Sequence, residues 1–247
     1  MANKQIILIT GGNTGLGLEV VKALYKSDSV YDIIVGSRSI SKAEEAITAV
    51  KEETLRSKSV LSSLQVDVTS DDSIRKAFEQ VSAQYGRLDV LINNAGASFD
   101  HAAAKGEMSV REAFNATWDV NVSGTHVMTY EFAPLLLKSS NPRLLFVTSG
   151  TSSLQETGEF VSPNLARLNA SPEAGWPKPV GPNPVTSYRS SKTGLNMVMR
   201  EWVKILKNDG VKVFAISPGF LATNLASIGA EQLKKVWHVY HVNETQC

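Results

Sequence analysis

A single cysteine occurs in the 247 residues, Cys247 at the last position, so no disulfide can form within the chain. That excludes a disulfide-stapled scaffold and predicts a reducing, cytoplasmic location. Long apolar runs are missing too. The N-terminal one, Ile6 to Ile9, is four residues long and leads straight into glycines, so it reads as neither a signal peptide nor a membrane span. Net charge is only +1, with both signs spread along the chain, which leaves nucleic-acid or membrane-surface binding without an electrostatic basis. The four histidines, His101, His126, His238 and His241, show no metal-ligand pattern; the last two form an i, i+3 pair expected to face solvent. Internal repeats and low-complexity tracts are absent.

What is present is a large apolar fraction, 43%, enough for one sizeable core and a single domain. Hydrophobic periodicity alternates between strand and helix. Strands are expected at 6–10, 32–36, 61–66, 88–92, 143–148 and 211–216. Helices are expected at 16–26, 41–53, from a Thr69 cap to about Gln84, at 109–137 with a possible kink at Pro134, and at 186–208 before Gly210. Such alternation predicts an α/β fold, a doubly wound parallel sheet of six or seven strands that binds ligands beyond the carboxyl ends of the strands.

Two constellations carry chemistry. Thr10-Gly11-Gly12-Asn13-Thr14-Gly15-Leu16-Gly17 directly follows the first strand and opens a helix. A strand, a glycine turn and a helix N-terminus form a cradle for a dinucleotide phosphate, because backbone N–H groups and the helix dipole face the anion. Gly17 falls inside the helix start, where glycine costs about 1 kcal/mol unless a close approach requires it. The second constellation, Tyr188-Arg189-Ser190-Ser191-Lys192, opens a long helix. Four-residue spacing puts the Tyr188 phenol and the Lys192 ammonium on one helix face, where the cation favours the ionised phenol.

An acid is also missing where one would be informative. Dinucleotide folds that prefer NAD place a carboxylate against the ribose 2′-hydroxyl after the second strand. Here that place carries Ser37 followed by Arg38, and a guanidinium suits a 2′-phosphate, so NADP (as NADPH) is the expected cofactor.

With these residues the chain resembles the short-chain dehydrogenase/reductase family from about Gln5 to Thr223. Asn93-Asn94-Ala95-Gly96 after the fourth strand, Asn121 in the next helix, Ser149 ending the fifth strand and Pro218-Gly219-x-x-x-Thr223 after the sixth extend the match. The resemblance implies a catalytic set of Asn121, Ser149, Tyr188 and Lys192, with Ser152 as the fallback serine. It implies cofactor contacts from Thr10, Gly11, Gly15, Leu16, Gly17, Ser37, Arg38, Asp67, Val68, Asn94, Ala95, Gly96, Tyr188, Lys192, Pro218, Gly219 and Thr223. In that scheme Asp67 hydrogen-bonds the adenine. Lys192 holds the nicotinamide ribose and depresses the Tyr188 pKa. Asn121 stabilises a helix distortion and holds a water of the proton relay. No metal is implied.

Two departures from the family pattern stand out. Residues 150–187 between Ser149 and Tyr188 form a long insert holding six of the nine prolines, together with Phe160, Leu165, Leu168 and Trp176. A loop of that length without its own periodicity is usually functional or disordered. Its prolines and apolar side chains favour a packed lid on the substrate side, similar to that of monomeric carbonyl reductases. The tail, 224–247, is shorter than the family's usual C-terminus, with a possible helix at 230–240 or a substitute edge strand at 237–242. The expectation is an NADPH-dependent reductase of a hydrophobic carbonyl substrate, a monomer or non-standard dimer. The alternative class is a regulator that binds NADP(H) without turnover.

Overall fold

The computed structural model describes residues 4–158, 166, 168–179, 185–219, 221 and 225. Six strands form one sheet: β1 (Gln5–Thr10), β2 (Tyr31–Ser37), β3 (Val60–Gln65), β4 (Val90–Asn93), β5 (Arg143–Val147) and β6 (Lys212–Ile216). Their order is β3-β2-β1-β4-β5-β6 and every neighbouring pair is parallel. The chain therefore winds outward from β1 in one direction, then returns and winds outward from β4 in the other. This reversal between β1 and β4 opens the crevice in which such sheets bind ligands.

Period-two alternation divides the core. From β1, Ile7 and Ile9 face α1 (Gly15–Lys26) and α2 (Ile40–Glu53), packing with Val21, Tyr25, Ile47 and Val50. Ile6 and Leu8 face the opposite layer of α3 (Asp71–Tyr85), α6 (Thr125–Leu136) and α7 (Thr186–Ile205), with Ile74, Met128, Phe132 and Trp202. Helices on both faces explain why β1 reads as a continuous apolar run. Between β4 and α6 lie a short helix, α4 (Asp100–Ala104), and α5 (Val110–Trp118).

Three expectations are corrected. Ser70, not Thr69, caps α3: its side chain accepts from the Ser73 amide. The helix expected over 109–137 is broken at a π turn, Asp119–Gly124, between α5 and α6; Pro134 lies within α6. Trp176, expected to anchor a packed lid, is 87% exposed. Thr223, most of the tail 224–247 and both Phe160 and Leu165 lie outside the described residues. Among the described residues no helix is long and apolar enough to cross a membrane.

Candidate active site

The glycine turn is built from β1 and clamped by the segment after β4. A Cβ on Gly17 would stand 2.3 Å from the Gly11 carbonyl oxygen, so only glycine lets α1 start this close to the turn. Asn94 donates from Nδ2 to the carbonyls of Thr10 (2.9 Å) and Gly11 (3.2 Å). In return, the Thr10 hydroxyl accepts from the amides of Asn94 and Ala95, both at 3.0 Å. Thr10 and Asn94 thus spend their polar atoms on shaping the cradle. The helix N-terminus it opens is left free for an anion. Thr14 makes no side-chain cap and the first turn of α1 carries no acid, whereas α2, α3 and α5 are capped by Ser39, Ser70 and Ser109. Uncapped N–H groups behind a glycine turn fit a pyrophosphate.

Further along the crevice, Ser37 is buried and Arg38 exposed, and Arg38 has no ion-pair partner among the described residues. The Asp67 carboxylate accepts from the amide and hydroxyl of Thr69, at 3.0 and 2.8 Å, which fixes the turn after β3. Val68 in that turn touches the π segment. A Cβ on Gly124 would fall 2.1 Å from the Val68 carbonyl oxygen. Pro218 and Gly219 follow β6, Gly219 with φ of 77°.

Asn121 sits in the π turn and is fully buried. Its side chain accepts from the Ala97 amide (2.9 Å) and donates to the Ala97 carbonyl (2.9 Å) and to Ser191 Oγ (2.9 Å). Ser191 in turn donates to the Tyr188 carbonyl at 2.8 Å. One amide therefore joins the loop after β4, the π turn and the helix α7 that carries Tyr188 and Lys192. Gly96 lies against both Asn121 Oδ1 and Lys192 Nζ, at 3.2 and 3.4 Å from where its Cβ would be.

The candidate reactive groups meet at the carboxyl end of β5. Lys192 is 3% exposed, donates to the Val147 carbonyl at 2.8 Å and stands 5.8 Å from the Tyr188 ring centre. Burial lowers its pKa to about 8. The Tyr188 phenol is pushed above its ordinary value by burial, opposed by a hydrogen bond with Ser149. The expected depression of this pKa is thus not a property of the protein alone. A phenol held above 10 stays protonated at neutral pH, which suits an acid. Ser152 is buried and committed: its hydroxyl donates to the Ser149 carbonyl (2.5 Å) and accepts from Asn196 (3.0 Å). Ser149 Oγ meets the Thr151 hydroxyl at 2.9 Å and accepts from the Thr151 amide at 3.3 Å, and it is the serine that lowers the Tyr188 pKa.

Two residues near the site escaped the sequence reading. Arg189 donates to the carbonyls of Thr151 and Leu168 and to the Asn169 side chain, tying the insert to α7. Asp100 accepts from the amides of Ser187 and Tyr188. Arg189 stood in a motif already singled out, but its partners are 20 to 38 positions away. Asp100 reaches 87 and 88 positions, with no local pattern to mark it. Among the described residues no group of three His, Cys, Asp or Glu side chains is placed to hold a metal.

A doubly wound sheet with a glycine cradle and a buried lysine beside a buried tyrosine fits a nicotinamide-cofactor oxidoreductase site. Residues 5–161 match the short chain dehydrogenase family model. The chain is 50% identical over 225 residues to the short-chain dehydrogenase/reductase eupG of Phoma sp, covering 90% of this chain and 79% of the relative. To the short-chain dehydrogenase/reductase tropE of Talaromyces stipitatus it is 43% identical over 227 residues, 92% and 82% of the two chains. The NADPH-bound carbonyl reductase from chicken fatty liver shares the fold with a TM-score of 0.70 at 21% identity, covering 91% of this chain and 82% of that one. The chain belongs to the short-chain dehydrogenase/reductase family and is an oxidoreductase.

Proposed function

We propose that the protein reduces a hydrophobic ketone to an alcohol with NADPH. When bound, NADPH supplies the hydride that adds to the carbonyl carbon. Tyr188 gives its phenolic proton to the carbonyl oxygen as the C–O π bond is lost, so one hydride and one proton complete the alcohol. Ser149, at the end of β5, donates to the same oxygen and orients it. Lys192, buried beneath, holds the ribose hydroxyls and stabilises the phenolate left after transfer. The Asn121 side chain is bonded to Ala97 and Ser191, and the family resemblance gives Asn121 the relay water.

The observation that carries this reading is the convergence of Ser149, Tyr188 and Lys192 at one strand end, Lys192 donating to the Val147 carbonyl at 2.8 Å and standing 5.8 Å from the Tyr188 ring centre. NADPH over NADH rests on Arg38 and the missing acid, since a guanidinium pairs bidentately with a phosphate. A bulky apolar substrate rests on the composition of the insert 150–187. The test is steady-state NADPH oxidation with a panel of hydrophobic ketones, run beside Tyr188→Phe. Turnover by the native protein, and a loss of about 10² or more in the variant with NADPH binding kept, is the expected result. Binding of NADPH with no turnover of any ketone would favour a regulator instead.

A further inference from the structure

The catalytic helix α7 begins without a cap of its own. Val185 occupies the N-cap position and supplies no side-chain hydrogen bond. The amides of Ser187 and Tyr188, the second and third residues of the helix, nevertheless have a partner. Asp100, from α4 and 92% buried, accepts from Ser187 N at 2.8 Å through Oδ1 and from Tyr188 N at 3.0 Å through Oδ2. Ser98 Oγ donates to Oδ2 at 3.1 Å and holds the carboxylate in place. A second tie lies alongside. The Thr117 hydroxyl donates to the Ala113 carbonyl at 2.8 Å and accepts from the Phe99 amide at 3.3 Å, so the Ser187 hydroxyl is its donor at 3.0 Å.

A carboxylate on two helix amides is a charge-assisted cap, stronger than a serine cap and favoured by the helix dipole. This one comes from a different element and ends on the amide of the proton donor itself. We propose that Asp100 is the positioning residue for Tyr188, fixing the start of α7 so that the phenol meets the substrate oxygen. The proposal rests on the reading of Tyr188 as the acid. Asp100 acts only through α7 and touches no reacting atom.

Asp100→Ala and Asp100→Asn test it, with Tyr188→Phe as reference. Turnover is normalised to titrated NADPH sites, so that loss of folded protein does not count. Positional errors of about 1 Å cost on the order of 10²-fold in rate. Asp100→Ala is therefore expected to lower kcat per NADPH site about tenfold or more, with NADPH Kd changed less than about twofold. Asp100→Asn keeps one acceptor, folds where alanine fails, and falls between alanine and the native protein. Amide exchange at Ser187 and Tyr188 rises in the same order, while the rest of α7 stays protected. Native kcat per site in Asp100→Ala beside an inactive Tyr188→Phe would overturn the Asp100 role alone. Unchanged amide exchange in both variants would do the same. Near-native turnover in Tyr188→Phe would overturn the acid assignment, and the positioning role with it.

Discussion

Arg189 donates from Nε to the main-chain carbonyl of Thr151 at 2.7 Å, so a residue inside the Tyr-x-x-x-Lys segment holds the turn that follows Ser149. The same guanidinium reaches the Leu168 carbonyl at 3.3 Å and Asn169 Oδ1 at 2.9 Å. Asn169 continues the chain of contacts to the Glu156 carbonyl at 2.8 Å. The described part of the insert is fastened by a polar clamp rather than by Trp176.

Arg189→Ala is expected to release that clamp. Hydrogen bonds from charged groups contribute about 1.5–3 kcal/mol each when buried, less here because the site is only partly buried. Proteolytic cleavage within 150–187 should accelerate, and kcat/KM for bulky ketones should fall more than NADPH affinity. Arg189→Lys, a single point donor in place of a planar fork, should lie between the two. Unchanged proteolysis in Arg189→Ala would remove the clamp from the account of this segment.

Much of this was legible in the sequence, and the exceptions have physical causes. Strands flanked by helices on both faces announce themselves as short apolar runs, so all six observed strands lie within a residue or two of their expected positions. Tyr188 and Lys192 were singled out by a four-residue helical spacing, which is a local fact, and Ser149 by the family resemblance. The π turn was expected only through the family resemblance, as a distortion at Asn121. The weak helix formers of 119–124 allow it, but what fixes it is tertiary: Asn121 held by Ala97, and Gly124 pressed on Val68. Trp176 misled because apolar composition does not say which face a loop presents; the ring lies in solvent. Asp100 went unnoticed because nothing local marks it: its partners begin a helix almost ninety residues on.

The contact between Gly124 and Val68 gives a stability prediction. A methyl at Gly124 would enter the 2.1 Å gap to a backbone carbonyl, which cannot swing away as a side-chain tip does. Gly124→Ala is expected to destabilise by about 1–3 kcal/mol, the usual cost of overpacking. For a domain of this size each kcal/mol lowers Tm by about 2–4 °C. Since Val68 adjoins the expected adenine site, NADPH affinity should fall as well. A melting curve equal to the native one would show that the π turn has slack.

Cofactor preference is open to a direct exchange of charge. Arg38 is exposed at the end of β2 with Ser37 buried beside it. NADPH should bind the native protein at least about tenfold more tightly than NADH, a charge-assisted pair of bonds being the difference. Ser37→Asp with Arg38→Leu should reverse the order, because the carboxylate repels the 2′-phosphate and accepts from a 2′-hydroxyl. Fluorescence titration of both cofactors measures it, and equal native affinities would remove Arg38 from the cofactor site.

The last prediction concerns pH and Lys192. Burial lowers its pKa from 10.5 in the open chain to about 8 in the folded protein. Below about pH 8 both states are protonated, and the fold bears the whole cost of the buried ammonium. Between about 8 and 10.5 the unfolded chain holds the extra proton, so unfolding free energy rises with pH. The full rise from this group is about 3 kcal/mol. Tyr188 works the other way, its raised pKa removing stability only above pH 10, so the window from 8 to 9.5 isolates the lysine. Denaturant unfolding at pH 7 and 9.5 should therefore show a gain in the native protein that Lys192→Met lacks. Cofactor affinity should move in the opposite direction. The ammonium proposed to hold the ribose is lost above about pH 8, so NADPH binding is expected to weaken there in the native protein, by at most about tenfold per pH unit. In Lys192→Met it is weak throughout and lacks that slope. A native protein whose NADPH affinity is as strong at pH 9.5 as at pH 7 would mean that Lys192 does not hold the cofactor through its charge.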